Sequence, residues 1–116
     1  MIRIITLALC LSFASISFVM ASNERHAIAG PGAGTCGNWM MDRKKADFRM
    51  NAFLATWVQG FLSGMNTMRA MESEREMSMI PDSDTLLAYV DKQCEDDPLM
   101  SVYDISITLY GRLQQF

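Results

Sequence analysis

The residues able to do chemistry are few: one histidine, three cysteines, 13 carboxylates and eleven methionines in 116 positions. A Ser–His or Cys–His pair needs a histidine inside the folded domain. The single histidine, His26, falls instead in SNERHAIAGPGAG at residues 22–34, which has no apolar period and reads as a flexible leader. A zinc site needs three or four His, Cys or carboxylate ligands, which two separated cysteines and no core histidine do not supply. Paired catalytic carboxylates must face each other across a cleft. The acids here gather at 72–76, 82–84 and 95–97, at predicted loops and helix ends. The glycines at 30–34 follow no strand and make no phosphate loop. The sequence therefore predicts no catalytic residue, no metal and no cofactor.

Methionine offers a different chemistry. Flexible thioethers suit surfaces that adapt to varied partners. Met65 and Met68 read as core packing, whereas Met71, Met77 and Met79 border an acidic loop with Glu72, Glu74 and Glu76. Those six residues form the candidate partner surface. The chain carries 10 Lys and Arg against 13 Asp and Glu, a net charge of −3. An acidic balance excludes nucleic acid, which needs a basic footprint, and the short run Arg43, Lys44, Lys45 reads as a solvated face.

Arg3 precedes an apolar run over residues 4–20, and Val19-Met20-Ala21 has the small residues of a cleavage site. This pattern predicts a signal peptide over 1–21, cut after Ala21. The alternative is an N-terminal anchor, since about 17 apolar residues is the lower limit of a span. Cleavage leaves 95 residues with a net charge near −4, periplasmic or secreted, without stable membrane insertion. Cys10 leaves with that segment. The remaining pair, Cys36 and Cys94, is most simply read as one disulfide closing a 58-residue loop.

The elements that must position these residues are helical. Thr35 caps a first helix with Cys36, Trp39 or Met40, and Arg43 on related sides. Residues 47–71 carry the longest 3.6-residue period, through Phe53, Trp57, Phe61 or Gly60, Gly64 or Met65, and Met68. Leu54, Val58 and Leu62 widen that stripe, so burial on more than one side is expected. Arg49, Asn51, Gln59, Asn66 and Arg69 interrupt it too often for a membrane span. Trp57 and Phe61 are expected to fill the core, and the spacing of Gly60 and Gly64 to admit a neighbouring helix. Residues 71–84 read as a loop. A helix at 83–95 follows, capped by Asp82 or Ser83, with Leu86, Leu87, Val90 and Cys94 on one face and Pro98 beyond its end. A last helix begins near Ser101, with Asp104 in capping-box spacing and a stripe of Val102, Ile105, Leu109 and Leu113. Its β-branched residues leave a strand as the alternative.

Three blocks now stand in fixed order: GAGTCGNW at 32–39, WVQGFLSGMN at 57–66, and YVDKQC at 89–94 followed by Pro98-Leu99. This order of cysteine, W-x-x-G-[FY]-x-x-G, cysteine and proline resembles small exported bacterial proteins of the HdeA/HdeB acid-stress chaperone family. It is also similar to the Rap/Tai-like periplasmic immunity proteins that neutralise type VI secretion amidases. The resemblance covers residues 33–113. It implies an all-α fold, a compact bundle of about four helices stapled by Cys36–Cys94, with Trp39, Trp57, Gly60, Phe61 and Gly64 as packing residues. It implies a protein partner, either denatured clients or one cognate enzyme, and a homodimer. In the chaperone case, acid protonates the carboxylates, the charge turns strongly positive, and the loosened fold exposes apolar surface.

Overall fold

The computed structural model describes residues 27–115; the predicted signal peptide and His26 lie outside them. A 3-10 turn at Gly30–Ala33 precedes four helices: α1 (Cys36–Lys45), α2 (Phe48–Ser73), α3 (Ser83–Asp96) and α4 (Val102–Leu113). Among the described residues there is no strand, only an isolated bridge between Thr35 and Ser101. The alternative of a strand at the last segment is thereby excluded.

Each helix starts where a short polar side chain can take an otherwise unpartnered amide. Thr35 accepts from the Asn38 N–H, Asp47 from Met50, Asp82 from Thr85 and Ser101 from Asp104. The helices stop for separate reasons. Glu74 turns left-handed at φ 53° after α2, its N–H bonding Ala70 O. Asp97 is extended ahead of Pro98 and ends α3.

The core is one cluster. Cys36 and Trp39 of α1 meet Leu54, Ala55, Val58 and Leu62 of α2; Leu86, Leu87, Val90 and Cys94 of α3; and Val102, Ile105 and Leu109 of α4. Cys36 and Cys94 form the disulfide, Cα atoms 4.9 Å apart. Beside it, Cys36 N–H donates to Met100 O (2.8 Å) and Val102 N–H to Gly34 O (3.1 Å). The start of α1 is thus fastened to both α3 and α4.

The phase of α2 differs from the expected one. The buried line runs Leu54, Val58, Leu62 and Asn66, while Phe53 and Met68 are more than half exposed. Met68 is therefore not core packing. Trp57 and Phe61 stand half-buried at the edge, stacked at 5.6 Å, with the Tyr103 ring edge-on to Phe61 at 5.5 Å. Gly60 and Gly64 do not admit a neighbouring helix: both face solvent, and an added Cβ at either meets no atom within 4 Å. Gly60→Ala and Gly64→Ala should accordingly each stabilise the protein by about 0.5–1 kcal/mol, through helix propensity alone. Urea unfolding in dilute solution measures this, and a loss of stability would contradict the exposed placement.

The leader also ends earlier than expected. Gly32 lies buried under the Trp57 ring, where a Cβ would fall 1.8 Å from its Cη2 atom. Trp57 Nε1 donates to Ala29 O (2.8 Å). The glycine-rich stretch next to Cys36 is therefore seated on α2, where only a residue without a side chain fits.

Candidate binding surface

The most exposed methionines sit where α2 ends and the chain crosses to α3. Met71 and Met79 are above 80% exposed, Met68 and Met77 above 55%. Glu72, Glu74 and Glu76 are exposed between them. The six residues selected as the partner surface thus all face solvent along one continuous stretch of chain.

Residues 74–82 have no helix, yet they are held firmly. The buried Asn66 side chain grips Ser78 from both sides: Nδ2 donates to Ser78 O (2.8 Å), and Ser78 N–H donates to Oδ1 (3.2 Å). Gln114 Nε2 donates to Ser78 Oγ (2.8 Å). Ile80 packs against the core, and Asp82 closes the stretch by capping α3. In such an extended strap alternate residues face opposite ways. Ser78 and Ile80 therefore turn inward, while Met77 and Met79 turn outward. A shallow groove of about 470 Å³ lies under the strap between Arg69, Met77 and Leu113.

Asp82 adds a titratable joint. The N–H of Thr85, and then its hydroxyl, donate to the Asp82 carboxylate at 2.9 Å each and hold its pKa below the usual carboxylate value. The cap is thus fully present above pH 3.8 and is lost as pH falls through the lower folded value.

A second polar cluster ties α1 to α3. Asp91 accepts from Trp39 Nε1 (2.7 Å) and, through both carboxylate oxygens, from Arg43 Nε and Nη2. Arg43 Nη1 also bonds Asn51 of α2. The pair is about three-quarters shielded and the Trp39 indole is buried. Asp91→Ala leaves that indole N–H without its acceptor and should cost about 1–2 kcal/mol. Thermal unfolding is the readout; an unchanged midpoint would show the cluster to be ornamental.

Neither Asn66 nor Asp91 was singled out from the sequence. Asn66 had a signal, since it continues the four-residue spacing of Leu54, Val58 and Leu62 and so occupies a core position. Asp91 had none, because nothing in its neighbours distinguishes it from a solvated helix residue. Among the described residues no group of three or more His, Cys, Asp or Glu could hold a metal, and no helix is long and apolar enough to cross a membrane.

Fold and surface together define a small, disulfide-stapled, all-helical protein that presents a methionine and glutamate ridge on an anchored strap. No family model, no curated protein and no solved structure matches the chain.

Proposed function

We propose that the protein is exported to the periplasm, or secreted, and acts without catalysis by binding other proteins. In this reading it is an HdeA-like acid- or envelope-stress chaperone. The disulfide supports export, since such bonds persist in oxidising compartments. The observation that carries the chaperone reading is the position of the Asp82 cap at the end of the methionine strap. Protonating Asp82 removes the cap that ends the strap, and protonating the other carboxylates drives the chain strongly positive. The Cys36–Cys94 bond survives acid, so α1 and α3 stay joined while the strap loosens. Thioethers then meet unfolded clients, whose varied side chains suit a flexible apolar surface.

At pH 2–3 the purified protein should suppress the light scattering of an aggregating, acid-denatured client. Met77→Ser with Met79→Ser should reduce that suppression by several-fold. Both replacements are at exposed positions and leave the core untouched. Absence of suppression by the unaltered protein would falsify the chaperone reading.

A specific observation favours a second reading. At neutral pH the strap is already fixed by Asn66 and Gln114 with its methionines and glutamates outward. A preordered projection suits an immunity protein that plugs the cleft of one cognate toxin enzyme. That reading predicts a single stoichiometric, tightly held partner in a neutral-pH pull-down, lost on Glu72→Lys with Glu76→Lys.

A further inference from the structure

The strap that carries Met77 and Met79 has two edges, and Asn66 fills one of them. Its Nδ2 donates to Ser78 O (2.8 Å) and its Oδ1 accepts the Ser78 N–H (3.2 Å). A residue whose N–H and C=O both meet one partner is extended, and Asn66 stands where a neighbouring strand would. Along an extended chain, successive residues turn these groups to opposite edges. Met77 and Met79 therefore turn theirs away from Asn66. Among the described residues none of these four main-chain groups has a hydrogen-bond partner. Met77 and Met79 are themselves 58% and 87% exposed, so the edge is open to a partner.

The open edge is short and its two ends differ. Pro81, the next residue along it after Met79, has no N–H to offer. At the other end Arg75 lines the groove beside the strap, together with Arg69 of α2, Met77, Met79 and Leu113. Among the described residues neither arginine is in an ion pair. Gln114, also on the groove wall, gives its Nε2 to Ser78 Oγ. Its buried Oε1 has no donor among the described residues.

We propose that this edge binds the C-terminal end of another polypeptide as an added antiparallel strand, with the incoming carboxylate on Arg69 and Arg75. The inference rests on the reading that the protein binds proteins, and it names the segment bound. An antiparallel strand sets its last residue opposite Met77 and the residue two before it opposite Met79, each exchanging both main-chain hydrogen bonds. Its carboxylate then lies at the Arg75 end. A parallel strand would send that charge toward Asp82 and Asp84 instead. A free carboxylate ion would satisfy the arginines alone. A chain end also brings the N–H groups that the carbonyls of Met77 and Met79 and the Gln114 Oε1 lack. An apolar last side chain lies on the two thioethers, because paired residues share a face.

The probe is an acetylated hexapeptide of alternating threonine and valine that ends in leucine with a free carboxylate. At neutral pH, isothermal titration should show one site. The Met77 and Met79 amides should exchange several-fold more slowly with the peptide bound. Amidating the peptide's carboxylate should weaken binding tenfold or more. N-methylation of its last amide, or of the amide two before it, should do the same. Methylating the amide between them, which faces away from the strap, should change nothing. These changes leave the protein's fold untouched. Arg75→Glu should weaken binding about tenfold, and Glu76→Lys, on the same groove wall, should tighten it, whereas a partner held by the glutamates would be lost. No binding at millimolar peptide overturns the inference, as does binding indifferent to amidation or to the place of the methyl group. Met77 and Met79 amides already slow in the free protein, and released by removing Phe116, would put this chain's own residue in the groove and equally overturn it. Peptide binding without suppression of scattering in acid would sink the chaperone reading alone. Suppression without peptide binding would sink this inference alone.

Discussion

Reducing the Cys36–Cys94 disulfide, or replacing both residues with alanine, should lower the thermal midpoint on the order of 20 °C. The bond closes a loop of 58 residues. The chain-entropy argument gives a crosslink of that span about 4 kcal/mol, most of it acting on the unfolded chain. A single domain of this size has only about 5–15 kcal/mol in total, so the crosslink is a large share. Both cysteines are fully buried among Trp39, Val90 and Val102, and alanine adds a packing loss in the same direction. Calorimetry of oxidised, reduced and doubly substituted protein gives the answer. A fall of only a few degrees would mean that the bridge between Thr35 and Ser101 and the hydrophobic cluster hold α1 without help.

Asn66→Ala should cost about 2–3 kcal/mol, more than truncating an ordinary surface polar residue. The side chain is 4% exposed and satisfies both the N–H and the C=O of Ser78. Alanine leaves a backbone donor and acceptor at a shielded position with no partner. The damage should also be local: the Ser78 amide would exchange with solvent faster by a larger factor than amides in α3 or α4. Proteolysis should shift to residues 74–82. If the variant loses stability with no preferential opening there, Asn66 is a core-filling residue and the strap is ordered by Ile80 and Asp82 instead. The outcome bears on function, because a loosened strap should weaken a preordered inhibitor and leave an acid-opened chaperone unharmed.

Much of the scaffold could be read from residue types. Thr35, Asp82 and Ser101 announce helix starts because a short side-chain oxygen before an apolar period has one good use. Pro98 fixes the end of α3, and two cysteines left after a predicted export signal can pair in only one way. The failures share a cause, which is that periodicity gives the spacing of a helix face and not its direction. Apolar residues run almost around α2, so Phe53, Trp57 and Met68 made as good a stripe as Leu54, Val58 and Leu62. Gly60 and Gly64 state that one face is small, and only α3 and α4, packed on the opposite side, show that this face is open. Gly32 was illegible for the converse reason: glycine in a polar stretch signals flexibility, while its use here depends on an indole 25 positions away. The exposed ridge of Met71, Met77 and Met79 was readable because it borders acids that could not be buried without partners.

The fastening of α1 has a consequence for the order in which the domain can be made. Cys36 and Trp39 enter the chain early, yet Asp91, Cys94 and Met100, which hold them, come more than fifty residues later. A nascent chain therefore cannot complete its first helix's contacts until its last third has emerged. Until Cys94 has emerged, Cys36 cannot form this disulfide. The contacts that join the two ends of the fold are thus the last whose residues become available.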